Sequence, residues 1–369
     1  MRKSLLWLLV IVLSISMILA FSLNGCKKEV PVEKTEEVEE EAAPAEEAVE
    51  EEVAKEAPAE GYTIGMIVKN LGNPFFEAAE KGAKEAAAEL GDEVIFTGPD
   101  TPTAEGQIAL IDAFIAQKVD VIAPVANDPD ALIPICKKAQ DAGIKVVAWN
   151  SPMSEGVDIY VDNPSAEGLG RIEVQMLGEL MDYEGEFAIL SAAATMPNQN
   201  LFIEWMKEEL KDPKYEKMEL VTTVYGDDLR EKSYNEAMGL FKSYPDLKGI
   251  ISPTTVGIAA TAVALKDAGL NGKIALTGLG LPSEMAEYVK DGTCGMMALF
   301  NPIDQGYLAV YAAHAMMTGE ITGAIGETLD GGRMGEKVIE EIEGQAPTII
   351  MSMPFIFNAE NIDEWKEVY

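Results

Sequence analysis

From residue 61 onward the chain alternates short, almost continuously apolar runs with longer stretches whose apolar residues recur at helical spacing. That alternation leaves few folds open. Residues 62–68 (YTIGMIV) read as a strand buried on both faces. Asn73 and Pro74 then supply an N-cap and a first-turn proline, Phe75, Ala79, Gly82, Ala86 and Leu90 follow at helical spacing, and Gly91 ends the helix. Strands are predicted at 94–96, 121–125 and 146–149, with helices over 108–119 and from Asp128-Pro129 to Gly143. After Asp162-Asn163 the pattern restarts, with strands near 187–190, 220–224, 250–252 and 274–277 and helices near 198–211, 229–243 and 256–268. The fold class is therefore α/β, with parallel sheets covered by helices on both faces. Two such series predict two doubly wound, Rossmann-like lobes. The halves share no visible sequence identity, so any repeat is architectural.

Charge and composition exclude several functions. The 369 residues carry 63 acidic against 28 basic side chains, a net charge of −35, and only one histidine and three cysteines. So acidic a surface repels phosphate backbones and anionic headgroups, which argues against nucleic acid as a partner. Metal centres and histidine-based triads lack material, so neither a metal nor another cofactor is expected.

The N-terminus predicts an address and a tether. Arg2 and Lys3 precede an apolar run from 5 to 21 and then Leu23-Asn24-Gly25-Cys26, a secretory pattern similar to bacterial lipoprotein signals, in which the cysteine is lipidated. The alternative is an uncleaved membrane anchor. Residues 27–60 hold 14 Glu and 4 Lys, no aromatic residue and three prolines, and read as a disordered acidic spacer. Both features place the body outside the cytoplasm. Cys136 and Cys294 read as separate buried thiols.

In open parallel sheets, ligands bind at the carboxyl ends of the strands. Those ends are Lys69-Asn70, Asn127-Asp128, Asn150-Ser151, Asn198-Gln199, Pro253-Thr254-Thr255 and Asn301. Amides and hydroxyls both donate and accept, which suits a neutral polyol, and no arginine cluster offers itself to an anion. Each of these residues could equally be a helix cap. Of Phe75 and Phe76, helical spacing sends one to the core, leaving the other to face a cleft and stack on a sugar ring. His314 lies in a core-like helical run and reads as structural, and Gly278-Leu279-Gly280 lacks the third glycine of a dinucleotide fingerprint.

Taken together, Lys69-Asn70, Asn73 to Phe76, Asn198 to Asn200, the Pro253 to Ala260 segment, Thr277 to Pro282, and Asn301-Pro302 with Gly306 to Leu308 resemble the periplasmic sugar-binding proteins of ABC transporters. The likeness is to the rhamnose-binding branch, with autoinducer-2 receptors of the LsrB type as near relatives, and spans residues 61–369. It implies a type I periplasmic binding protein, with two lobes and a three-segment hinge crossing near Asn163, between Cys294 and Asn301, and between Gly323 and Glu327. The first lobe would take 61–163 and 298–325, the second 164–297 and 326–369. It further implies a non-enzymatic monomer that closes on a neutral sugar, rhamnose foremost, for delivery to membrane permease subunits. A receptor for autoinducer-2 or a pentose is the alternative. Lys69 and Asn70 would meet ring hydroxyls from the first lobe, Asn150 would stand where sugar binders often present an Asp, Asn198 and Gln199 would answer from the second lobe, Pro253 and Thr255 would offer backbone groups, and Asn301 would lie at the hinge. Gly278 and Leu279 would border the ligand, with Leu279, Leu281 or Met153 against its methyl group. Asn150 and Asn198 stand where autoinducer-2 receptors carry acids. Two more distant readings are a glycosidase using Asp128 and Asp162, and the effector domain of a sugar-responsive repressor.

Overall fold

The computed structural model describes residues 61–163 and 165–369. The N-terminal signal, Cys26 and the acidic spacer lie outside the described residues. The described chain builds two sheets, joined by a small antiparallel pair.

The first sheet grows from β1 (Thr63–Ile67), which pairs in parallel with β2 (Glu93–Thr97) and β3 (Val121–Pro124). β4 (Lys145–Trp149) and β5 (Ile159–Asp162) extend it on the β3 side. Four helices cover the two faces. α1 (Pro74–Leu90) starts where Asn73 accepts from the Phe75 N–H at 3.1 Å, and stops at Gly91, whose φ of 78° turns the chain left-handed. α2 (Ala104–Gln117) and α3 (Pro129–Asp141) are capped by Thr103 and Asp128.

The second sheet, in the order β7-β6-β8-β9, is wholly parallel. Its strands are β6 (Glu184–Ser191), β7 (Lys217–Tyr225), β8 (Leu247–Ser252) and β9 (Ala275–Gly278). Around them lie α4 (Ala166–Leu180), α5 (Pro197–Glu209), α6 (Arg230–Ser243), α7 (Thr255–Asp267) and α8 (Pro282–Lys290). β10 (Met297–Leu299) continues this sheet through the Leu279–Ala298 bridge. The chain then returns to the first lobe as α9 (Pro302–Thr318), packed along α1.

One core joins the inner faces. It runs from Phe75, Phe76 and Trp149 to Phe187 and Ile250, while Ile111, Phe114 and Cys136 belong to a second core on the other face of the first sheet. Cys136 and Cys294 are free, buried, and sit in different cores, and burial pushes both thiols up to about 12. His314 packs edge-on to Tyr62 and its Nδ1 lies 2.7 Å from Asp92 Oδ2, tying α9 to the turn before β2.

The predicted third crossing requires correction. The chain does not leave the first lobe at Gly323–Glu327. β11 (Thr328–Asp330), β12 (Glu336–Glu340) and β13 (Thr348–Ile350) join the first sheet instead, through parallel pairing of Thr348–Ile350 with Tyr160–Asp162. Only then does the chain cross, as β14 (Phe355–Phe357) pairs with β10 and α10 (Ile362–Trp365) reaches α8. Residues 328–350 thus belong with the first lobe, and residues 298–299 pair within the second. β11 and β12 are three and five residues long and largely exposed, and the buried β13 has only three residues, so none leaves a periodic signal to read.

Candidate functional site

The carboxyl ends of both sheets face one pocket, narrow in this structure, with a cavity volume of about 40 Å³. From the first lobe, the chain just past β1 presents Lys69, the end of β4 presents Asn150, the end of β5 presents Asn163, and the first turn of α1 brings Asn73, Phe75 and Phe76. The second lobe answers with Asn198, Gln199 and Phe202 from α5, Asp228 from the turn after β7, Pro253 to Thr255 after β8, and Leu279 after β9. Leu299 and Phe300 close the hinge side.

Lys69 is the polar centre. Only 2% exposed, it donates through Nζ to Asn198 Oδ1 at 2.9 Å and to Gln199 Oε1 at 3.4 Å, so it spans the two lobes. Burial lowers its ammonium to about 8, against the opposing pull of Asp228. Asp228 is raised by the same desolvation, and the Lys69 charge and the Thr254 hydroxyl resist the shift. A buried cation and a buried acid from opposite lobes each make the other less costly to bury.

Asn150 is held in the left-handed region (φ 60°). Its Nδ2 donates to Asn163 Oδ1 at 3.2 Å and to Gln305 Oε1 at 2.9 Å, while Asn163 Nδ2 returns a bond to the Asn150 carbonyl at 3.1 Å. Gln305, on α9, is fully buried behind this pair and fixes which way both amides face. Opposite lies an aromatic wall: Phe75 meets Phe76 and Phe300 edge-on at centroid distances of 5.3 and 5.7 Å, and Phe76 meets Trp149 at 6.0 Å. Both phenylalanines line the pocket and both belong to the core, so the expected division of roles between them does not occur.

Lys69, Phe75, Phe76, Asn150, Asn198, Gln199, Pro253, Thr255 and Leu279 come together at the pocket; seven other expected residues do not line it. Asn127 spends its amide on the Lys69 carbonyl at 2.9 Å, bracing the strand end that carries the lysine. Asp128 caps α3, accepting from the Ala131 N–H. Asn301 caps α9 and donates to Asp304 at 2.8 Å. Asn70 donates to the neighbouring Leu71 carbonyl. Gly278 is needed for close approach, since a Cβ there would fall 1.9 Å from the Ser252 carbonyl oxygen. Met153 and Leu281 are buried but do not line the pocket.

Sequence reasoning also missed groups that line it, Asn73, Asn163, Phe202, Asp228, Leu299 and Phe300, while Thr254, named there only as part of a strand end, lines it as well. Asp228 matters most, because it supplies the pocket's carboxylate where the sequence pointed to Asp128, which caps α3 instead. The strand-end rule pointed to it, since it follows β7 by three residues. In a chain with 63 acids it carried no contrast. No group of three or more potential metal ligands occurs among the described residues.

Residues 64–321 match the family described as periplasmic binding protein domain. An ABC transporter solute-binding protein from Clostridium phytofermentas, solved with bound L-rhamnose, is 38% identical with a TM-score of 0.81, covering 84% of this chain and 99% of that one. A sugar ABC transporter protein from Actinomyces odontolyticus is 40% identical at a TM-score of 0.66, over 82% of this chain and 97% of its own. The D-ribose/D-allose-binding protein of Pseudomonas aeruginosa is 25% identical over 238 residues, or 62% of this chain and 74% of that protein. LsrB from Clostridium saccharobutylicum, in complex with AI-2, shares the fold at 22% identity and a TM-score of 0.78, covering 82% of this chain and 99% of that one. With the type I two-lobed architecture and a pocket walled by both lobes, the chain belongs to the periplasmic binding protein family and is a solute-binding protein of the ABC sugar-transporter type, not an enzyme.

Proposed function

We propose that this protein captures a neutral deoxy sugar, L-rhamnose foremost, outside the cytoplasm, closes its two lobes over it, and hands it to the permease subunits of an ABC importer. One observation carries the reading: a single pocket whose polar groups come from opposite lobes and meet through Lys69, Asn198 and Gln199, beside a wall of phenylalanines. Amide, hydroxyl and ammonium groups replace the water bonds of ring hydroxyls, while the aromatic wall accepts the apolar face and the methyl group. The 38% identity to a protein solved with L-rhamnose supports that sugar over others. No helix among the described residues is long and apolar enough to cross a membrane. Attachment through a lipid on Cys26, with residues 27–60 as spacer, is the proposed route to the membrane surface.

Titration calorimetry against L-rhamnose, ribose, xylose and autoinducer-2 tests the reading. The expected result is tightest binding to L-rhamnose. Tightest binding to another member of the panel removes the rhamnose assignment, and tightest binding to autoinducer-2 turns the role toward signalling.

A further inference from the structure

Asp228 stands in an unusual backbone setting. It and Asp227 are consecutive non-glycine residues in the left-handed region, with φ values of 53° and 55°. L-residues take that region at a cost, and a strained pair persists only where its surroundings hold it. The surroundings here are explicit: the Gly226 N–H donates to the Ser191 carbonyl at 2.9 Å, and the Asp227 N–H to the Ala192 carbonyl at 3.1 Å, so the turn is pinned to the end of β6. The consequence of the strain is the placement of one side chain. Asp228 is only 7% exposed, yet it lines the pocket. Its Oδ1 accepts from the Thr254 hydroxyl, while among the described residues no group donates to Oδ2. A carboxylate that lines a pocket with one oxygen lacking a donor is an acceptor waiting for one.

We infer that Asp228 is a specificity-determining residue of the site, whose free carboxylate oxygen accepts a hydrogen bond from a hydroxyl of the bound polyol. The inference rests on the sugar-binding reading above and extends it. Lys69, from the other lobe, supplies a countercharge that opposes the rise burial imposes on the Asp228 carboxyl and so favours its ionised form. An ionised acceptor forms a stronger bond than an amide would, and it rejects a ligand bearing its own negative charge or lacking the hydroxyl. The ligand class is therefore a neutral sugar with a free ring hydroxyl on the Asp228 side.

The test is calorimetry of wild type and Asp228→Asn with L-rhamnose and its 2-, 3- and 4-deoxy analogues. Asparagine tolerates the left-handed backbone, so the substitution isolates the carboxylate. The expected result is roughly 10- to 100-fold weaker L-rhamnose binding by the variant. That penalty should shrink to under about threefold for the one analogue that lacks the contacted hydroxyl. Asp227→Asn, in the same turn but paired with Lys232 and outside the pocket lining, should bind as wild type does. If Asp228→Asn does not fold, Asp228→Gly suits the same backbone and carries the same expectation. Asp228→Asn binding within threefold of wild type, or an equal penalty across all three analogues, overturns the inference and leaves the sugar-binding reading standing. If wild type prefers another monosaccharide, the same series on that sugar and its deoxy analogues decides about Asp228. Failure of wild type to bind any monosaccharide overturns both.

Discussion

Asp162 shows how burial, rather than residue type, sets the behaviour of an acid in this chain. It ends β5, where its Oδ1 accepts from the Tyr160 hydroxyl at 2.6 Å and from the Asn163 N–H at 2.7 Å. Both bonds favour the ionised form, yet desolvation outweighs them and pushes the carboxyl up to about 7. Its other surroundings, across a groove between the first lobe and α4 and α5, include Glu167, Glu204, Glu208 and Glu343 with only Lys207 to offset them. The folded form therefore keeps a proton that the unfolded chain releases near pH 4. The resulting stabilisation is complete below about pH 4, is lost as pH rises toward 7, and is absent above that. Asp162→Asn cannot titrate, so its unfolding free energy relative to wild type, followed by melts across pH, should rise between pH 4 and 7 by on the order of a few kcal/mol and level off above. A difference that stays flat across that range would mean Asp162 is ionised throughout. Of the pocket residues, Lys69, Asn198 and Gln199 were legible because they follow strand ends or open a helix. Asp128 and Asn301 looked the same in sequence and turned out to cap helices, because a short polar side chain at a strand-to-helix junction satisfies either rule.

Between elements, the closest approach in the first lobe is that of α1 and α9. A Cβ at Gly82 would lie 1.7 Å from the Ile303 carbonyl oxygen, and one at Gly306 would lie 2.0 Å from that of Ala79. Glycine inside a helix ordinarily costs about 1 kcal/mol relative to alanine. Here the sign reverses, because neither backbone can yield. Gly82→Ala should destabilise by roughly 1–3 kcal/mol through overpacking. At about 2–4 °C per kcal/mol, a melt should show a drop of several degrees. A melting temperature equal to or above wild type would mean the helices can part at no cost. Gly82 was visible in the sequence as part of an apolar helical stripe, but its partner lies more than 200 positions along the chain, and no local pattern joins them. α4 escaped for a related reason: its buried face includes Gly170 and Gly178, which dilute the apolar stripe while letting α5 and Tyr183 pack close.

At the level of the molecule, the chain passes between the lobes after β5, after β10 and after β13, and the Lys69 bonds to Asn198 and Gln199 bridge the cleft between them. If sugar capture closes that cleft, solution scattering with saturating L-rhamnose should give a smaller radius of gyration than the unliganded protein. Sugar at about 100 times its Kd should also raise unfolding stability by ~2.7 kcal/mol. Identical scattering curves would remove closure from the mechanism even if binding persists. By itself the sequence determined the α/β class, the strand and helix order through β9 apart from β5 and α4, and the polar character of most strand ends. These are local properties, written in periodicity and caps within about a dozen residues. Only the tertiary structure decided which lobe takes residues 328–350, which strand-end side chains face the pocket and which cap helices, and that the charges of Asp228 and Lys69 act on each other within one pocket. Those outcomes depend on pairings between distant segments, and on desolvation by neighbours that the chain brings together only when it folds.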